Sequence, residues 1–176
     1  MTGTALHITE GYQPGGIGRL VEMHGRYYAR EWGFGTFFEA KVAAESAAFF
    51  QRFNPQTDRA WFVLDDTAIV GTMIIDGGGP DRARLGAHLR WFILDDGARG
   101  HGMGGRLMAQ ALDFCARRDV HRCYLTTFAG LDAARALYER FGFRLVSEQA
   151  DNTWGVSVDE QLFERTGCAP NSPLGD

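Results

Sequence analysis

The clearest chemistry in this chain lies between Leu89 and Cys115. Four glycines, Gly100, Gly102, Gly104 and Gly105, fall within six positions. An apolar run from Leu89 to Leu94 precedes them and a helical pattern follows. In that pattern Gly104, Leu107, Met108, Ala111, Leu112 and Cys115 recur at spacings that put them on one helix face. A strand, a glycine-rich turn and a helix N-terminus together make an anion site. The first N–H groups of a helix have no partner inside it, and the macrodipole adds roughly half a positive charge there. Glycine lets the backbone take φ > 0 and come close to a ligand. Phosphate or diphosphate is the usual guest, and Arg99 adds a fixed cation beside it. His101, inside the loop, has no partner at metal-ligand spacing.

Gly100-x-Gly102-x-x-Gly105 also fits the dinucleotide fingerprint. That motif needs an acid near the end of the following strand, about 20 residues on, to hold a ribose. The next strand ends in Thr126-Thr127-Phe128 with no acid, which leaves a nucleotide-dependent oxidoreductase as a minor rival. A second signature, Ala134-Arg135-Ala136-Leu137-Tyr138-Glu139-Arg140-Phe141-Gly142-Phe143, lies about 35 residues beyond the loop with a strand between. Its tyrosine either carries chemistry or simply faces the core, since it shares a stripe with Ala134, Leu137 and Phe141.

These two motifs carry a resemblance. Arg99-x-x-Gly102-x-Gly104 resembles the acyl-CoA loop of the GNAT (GCN5-related) N-acetyltransferases, Gln/Arg-x-x-Gly-x-Gly/Ala. Ala134 to Phe143 resembles the family's Ala-x-x-Leu-Tyr-x-x-x-Gly-Phe. The resemblance covers about Ile69 to Val146, and the first 60 residues only by element order. The run Tyr28-Ala29-Arg30-Glu31-Trp32-Gly33-Phe34 with Phe38-Glu39 also looks like the acetyltransferase half of MarR–GNAT fusion proteins; the MarR half has no counterpart within these 176 residues. The resemblance implies an enzyme that moves an acetyl group from acetyl-CoA to a small-molecule or peptide amine by direct attack in a ternary complex. It implies that Arg99, Gly100, His101, Gly102, Met103, Gly104 and Gly105 grip the diphosphate. It also implies that backbone groups of Phe92, Ile93 and Leu94 lie beside pantetheine, and that Tyr138 protonates the leaving thiolate.

The sequence departs from the family pattern twice. Arg90 stands where a strand Glu often activates the amine, which leaves Glu39, His88 or bulk water for that role. Leu131 stands where an Asn often contacts the cofactor. Both departures keep a non-catalytic acyl-CoA-binding sensor as the alternative reading. Tyr27, Tyr28, Trp32, Phe34, Phe37 and Phe38 crowd the region that overhangs the acyl group in this architecture; core packing accounts for most of them, and an exposed subset suits cation–π contact with an amine.

These residues need elements to position them. Ala5–Thr9 reads as a strand, residues 11–18 as a loop, Ile17–Trp32 and Phe37–Phe53 as helices, and Trp61–Leu64 with Ile69–Ile75 as a hairpin turning at Asp65-Asp66-Thr67. A long strand is expected over Ala83–Leu94, then the glycine loop and a helix to Arg118, a strand over Arg122–Phe128 and a helix over Ala133–Phe141 capped by Gly142. Phe143–Glu148 and Val156–Phe163 complete the pattern. The expected fold class is α+β: a GNAT fold with a single mixed, mostly antiparallel sheet of about seven strands flanked by about four helices. Residues 1–165 form one domain and 166–176 a loose tail.

Composition agrees with one domain. The chain has 176 residues, 45% hydrophobic, with a net charge of −4. Scattered basic residues give no nucleic-acid face, and mild acidity suits a cationic substrate without deciding it. Cys115, Cys123 and Cys168 form neither a disulfide framework nor a zinc motif. No apolar run of membrane length is present, so a cytoplasmic location is expected, with oligomeric state left open, a homodimer included.

Overall fold

The computed structural model describes residues 6–167. Seven strands form one sheet in the order β1-β2-β3-β4-β5-β7-β6. In chain order they are β1 His7–Glu10, α1 Gly16–Trp32, α2 Thr36–Gln51, β2 Arg59–Asp65, β3 Ala68–Asp76, α3 Arg82–Leu85, β4 Ala87–Leu94, α4 Met103–Arg117, β5 Arg122–Phe128, α5 Asp132–Arg140, β6 Arg144–Asp151 and β7 Val158–Thr166. All neighbouring pairs are antiparallel except β4–β5. This is the expected mixed α+β sheet, with a fifth, short helix.

Both faces of the sheet are buried, and alternation along each strand shows which helix covers which. On β2, Trp61 and Val63 pack with α4, whereas Ala60, Phe62 and Leu64 pack with α1 and α2. On β3, Met73 and Ile75 follow the first set and Ile74 the second. Successive side chains point to opposite faces, so a strand covered on both sides is apolar throughout.

Strand β4 breaks this alternation. Ala87 and Leu89 pack on the α4 side, but so do Phe92 and Leu94, while Trp91 and Ile93 turn to the α1–α2 side. The pairing explains the change. Arg90 opposes Ile74 and Ile93 opposes Thr72, so Trp91 and Phe92 together face one residue of β3. This is a β-bulge, which adds one residue and flips the facing of all that follow. Trp91 sits at φ 45°, and the Thr72 hydroxyl donates to its carbonyl at 2.6 Å.

The long strand expected over Ala83–Leu94 is corrected. Arg82–Leu85 is one helical turn, and β4 starts only at Ala87. Gly86 makes the break: its φ is +91° and its Cα lies so close to β5 that an added Cβ would sit 1.9 Å from the Arg122 carbonyl oxygen. The last strands also shift. β6 runs to Asp151, and β7 begins at Val158 and pairs as far as Thr166 with Arg122, where the tail was expected to start. Ala5, Cys168 and the rest of the expected tail lie outside the described residues. No helix among the described residues is long and apolar enough to cross a membrane.

Gly86→Ala should destabilise the fold by about 3 kcal/mol, since a left-handed φ and a backbone clash are combined at one position. Urea denaturation of the purified chain, compared with the parent, checks this.

Candidate active site

The parallel pair β4–β5 is joined at only two positions, Ala87 with Cys123 and His88 with Tyr124. Beyond them the strands part, although β4 continues to Leu94 and β5 to Phe128. Three adjoining spaces lie at this gap. A cleft of about 800 Å³ lies against the glycine loop and α5. A throat of about 110 Å³ passes between the strands beneath α1 and α2. An outer cavity of about 650 Å³ lies beyond it, beside the end of α2 and the α3 turn. Tyr28, Phe92, Thr127 and Tyr138 line both cleft and throat. Glu45, His88, Arg90 and Thr126 line both throat and outer cavity.

The cleft is bordered by the strand, glycine turn and helix start that the sequence predicts. Helix α4 starts at Met103 with Gly102 before it at φ 74°, and no side chain caps it. Its leading N–H groups therefore stay available. A Cβ on Gly104 would meet Leu137 and Phe92, each at 3.3 Å, so glycine here lets α4 approach both α5 and β4. Arg99 bonds the Leu94 carbonyl at 3.0 Å and Asp96 at 3.1 Å, with its guanidinium 4.9 Å over the Tyr27 ring. Arg19 in α1 pairs with Asp95 and bonds the Ile69 carbonyl, which fixes the strand end leading into the loop. Gly100, Gly102, Met103, Gly104 and Gly105 line the cleft with Phe92, Ile93 and Leu94. The exposed His101 does not. Arg140, which sequence reasoning missed, lines it from the end of α5 and has no acidic partner among the described residues; its signal was the i, i+3 step from Leu137, which lines the same cleft.

Tyr138 stands at the junction, 6% exposed, within aromatic contact of Phe92, Phe143 and Phe163. Burial raises its pKa. Tyr28 lies across the junction, and burial, then the neighbouring Tyr138 and Tyr27, raise its pKa too. Both phenols are therefore protonated at neutral pH. Aromatic rings wall the throat: Phe38 lies 4.8 Å from Tyr28 and 5.8 Å from Trp154, which lies 5.4 Å from Phe128. Of the aromatics singled out in the sequence, Phe37 is exposed and Tyr27 belongs to the cleft. Trp154, from the β6–β7 connection, was not foreseen.

The two base candidates fare differently. The structure places Glu39 on the exposed side of α2, against Gly25 of α1 and away from the throat. The inward stripe of α2 is Phe38, Val42, Glu45 and Phe49, and position 39 falls about 100° from Phe38. The acid that reaches the throat is Glu45, hydrogen bonded to Lys41 at 2.6 Å and to Arg90 at 2.5 Å. Arg90 also contacts Asp76 at 3.5 Å and lies 4.0 Å over the Trp91 ring. His88 does line the throat, with its ring stacked 4.1 Å from Tyr124. No group of three or more His, Cys, Asp or Glu among the described residues could hold a metal ion.

Comparisons with known proteins agree on one family. The profile of the acetyltransferase (GNAT) family matches residues 28–143. Among solved structures, an acetyltransferase of the GNAT family from Staphylococcus aureus Mu50 is 17% identical with a TM-score of 0.70, covering 92% of this chain and 99% of its own. A ribosomal-protein-alanine N-acetyltransferase from Brucella melitensis is 17% identical with a TM-score of 0.71, covering 91% and 99%. The Salmonella typhimurium protein yncA, solved with its cofactor acetyl-CoA, is 12% identical with a TM-score of 0.69, covering 97% and 98%. At these identities the structural matches speak for the fold. No curated protein sequence matches the chain.

Two histidines give the site a pH signature. His24, 6% exposed, lines the throat; its Nδ1 donates to the Leu20 carbonyl at 2.8 Å, which leaves Nε2 as an acceptor. Burial pushes its pKa down to about 4. His88 is pushed down to about 3, by burial first and by Arg90 second. A depressed histidine stays neutral in the fold while the unfolded chain takes up a proton below about pH 6.5. Stability is thus fully present above that pH and falls as the pH drops toward 4. For His24 the loss should approach about 3 kcal/mol between pH 7 and pH 4. Denaturation across that range should show a shallower pH slope for His24→Asn than for the parent.

Proposed function

Because the chain belongs to the acetyltransferase (GNAT) family, whose profile spans residues 28–143, we propose that it moves an acetyl group from acetyl-CoA to a primary amine by direct attack within a ternary complex. The observation that carries the reading is the row of three adjoining spaces, cleft, throat and outer cavity, that share lining residues at the parting of β4 and β5. Donor and acceptor come from opposite ends of this row and meet at Tyr28, Phe92, Thr127 and Tyr138.

In this reading the uncapped amides of α4, with Arg99 and Arg140, hold the diphosphate. The β-bulge at Trp91–Phe92 takes that stretch out of regular pairing with β3, so its backbone groups can orient the pantetheine arm and polarise the thioester carbonyl. The acyl donor supplies an activated thioester carbon. The amine nitrogen forms a bond to that carbon, the C–S bond breaks, the ammonium gives up one proton and the thiolate gains one.

Tyr138 donates a hydrogen bond to the departing sulfur. Its raised pKa keeps the proton in place at neutral pH, and full transfer to a thiolate of pKa about 8.5 is uphill. Its contribution is to stabilise the charge that develops on sulfur. Deprotonating an amine of pKa about 10.4 at neutral pH costs about 4–5 kcal/mol. His88, depressed to about 3, has little affinity for that proton. Glu45 receives the ammonium as it enters the throat, and the proton leaves through the outer cavity to solvent. A closer tie to the acetyltransferase half of MarR–GNAT proteins rests on the 28–34 run and Phe38-Glu39.

Thiol release from acetyl-CoA over a panel of amines tests the function. Tyr138→Phe should lower kcat by about 10- to 100-fold, the worth of one hydrogen bond to a charged group, with KM for acetyl-CoA nearly unchanged. Gly102→Val, which puts a β-branched residue at a left-handed φ, should weaken CoA binding at least about tenfold by calorimetry. No thiol release with any amine, or CoA binding indifferent to Gly102→Val, overturns the reading.

A further inference from the structure

The outer cavity is where an acceptor waits, and its charges identify the kind of acceptor. Each arginine lining it is already held by a carboxylate. Arg90 is bonded to Glu45, Arg52 to Asp76 at 2.5 Å and Arg84 to Asp81 at 3.0 Å. Two more carboxylates line the cavity, and they bond neutral donors: Asp151 accepts from the amide and hydroxyl of Thr153, and Glu160 accepts from the Trp154 indole. Five carboxylates thus face three guanidiniums in the lining, and Lys41, bonded to Glu45 at 2.6 Å from outside it, leaves a surplus of one negative charge. Asp159, Glu148 and Glu164 of the same hairpin do not line the space.

A second observation points to a bound cation. The Asp76 side chain is 1% exposed, and its Oδ1 has no hydrogen-bond partner. Oδ2 takes Arg52, with Arg90 farther off at 3.5 Å. Gly79 forms the cavity wall there; a Cβ added to it would touch both Asp76 oxygens at 3.4 Å, so a side chain at this position would cover the carboxylate that glycine leaves uncovered. An unsatisfied buried carboxylate oxygen costs free energy, and an ammonium donor satisfies it. The throat adds a shape limit. At about 110 Å³ between aromatic rings, it admits an unbranched aliphatic arm.

Resting on the transferase reading above, we propose that the acceptor is a linear di- or polyamine. One primary amine passes through the throat to the thioester, while a second ammonium stays in the outer cavity against Asp76 Oδ1 and the Asp151–Glu160 side. A carboxylate on the acceptor would enter a net-negative space whose cations are all engaged, so amino acids are poor substrates.

The test is thiol release from acetyl-CoA by the full chain with 1,4-diaminobutane, butylamine and 4-aminobutanoate, which share chain length and differ only at the far end. Calcium and sodium salts are kept constant except in one series at raised ionic strength. The diamine should exceed butylamine in kcat/KM by about 10- to 100-fold, the worth of a hydrogen bond between charged groups, and 4-aminobutanoate should fall below both. The diamine preference should shrink as salt is raised, in Asp76→Asn, and in an Asp151→Asn/Glu160→Gln pair that leaves the Arg52 and Arg90 contacts intact. Turnover of butylamine or 4-aminobutanoate equal to that of the diamine, or a preference unmoved by the paired substitution, overturns the diamine proposal and leaves the transferase reading standing. Absence of thiol release with every amine overturns both.

Discussion

The site depends on a parallel strand pair that is barely joined. Two residue pairs hold β4 to β5, and from Leu89 and Leu125 onward the sheet has no ladder between these strands. Backbone groups freed in this way must be satisfied by something else. Here the residues beyond the split, among them Phe92 and Thr127, line the cleft and the throat. The sheet stays whole because the flanking antiparallel ladders, β2–β3–β4 on one side and β5–β7–β6 on the other, are extensive, and because α4 spans both halves. The opening is therefore held by rigid elements on each side, which suits the preorganised contacts that acyl transfer requires.

The bulge in β4 is the second device. One extra residue reverses the facing of the strand halfway along. Before it, Leu89 serves the α4 core and Arg90 the outer cavity; after it, Phe92 and Leu94 serve the α4 side and border the cleft. A single strand thus lines the outer cavity with its first half and the cleft with its second. Trp91 at positive φ carries the conformational cost, offset by the Thr72 hydroxyl and by the Arg90 guanidinium over its ring.

Arg90 occupies the strand position where the family often has a carboxylate, and the surrounding charges are arranged to match. Glu45 comes from α2 and Asp76 from β3, so the negative charge near the throat is kept while its backbone origin changes. Removing Arg90 would leave two carboxylates close together in a partly buried space, an unfavourable arrangement. Arg90 therefore acts as a structural counter-ion within an acidic cavity.

Much of this was legible in the chain itself. The glycine loop, the α4 stripe and the Leu137-Tyr138 segment announce themselves through local periodicity and local backbone needs, and the fold brings all three to one cleft. The hairpin turn and the Gly142 cap were readable for the same reason. Gly86 was hidden because the need for glycine there comes from the Arg122 carbonyl, more than thirty residues away. Glu45 was passed over for Glu39 because helical spacing gives a stripe without saying where it ends at a cavity. Trp154, Arg140 and Asp76 belong to segments far apart in sequence that meet only when the sheet is assembled. Motifs short enough to be written in consecutive residues are set by local physics. The throat, the bulge that inverts β4 and the charge balance of the outer cavity depend on strand register and on contacts between distant segments, and these only the folded chain decides.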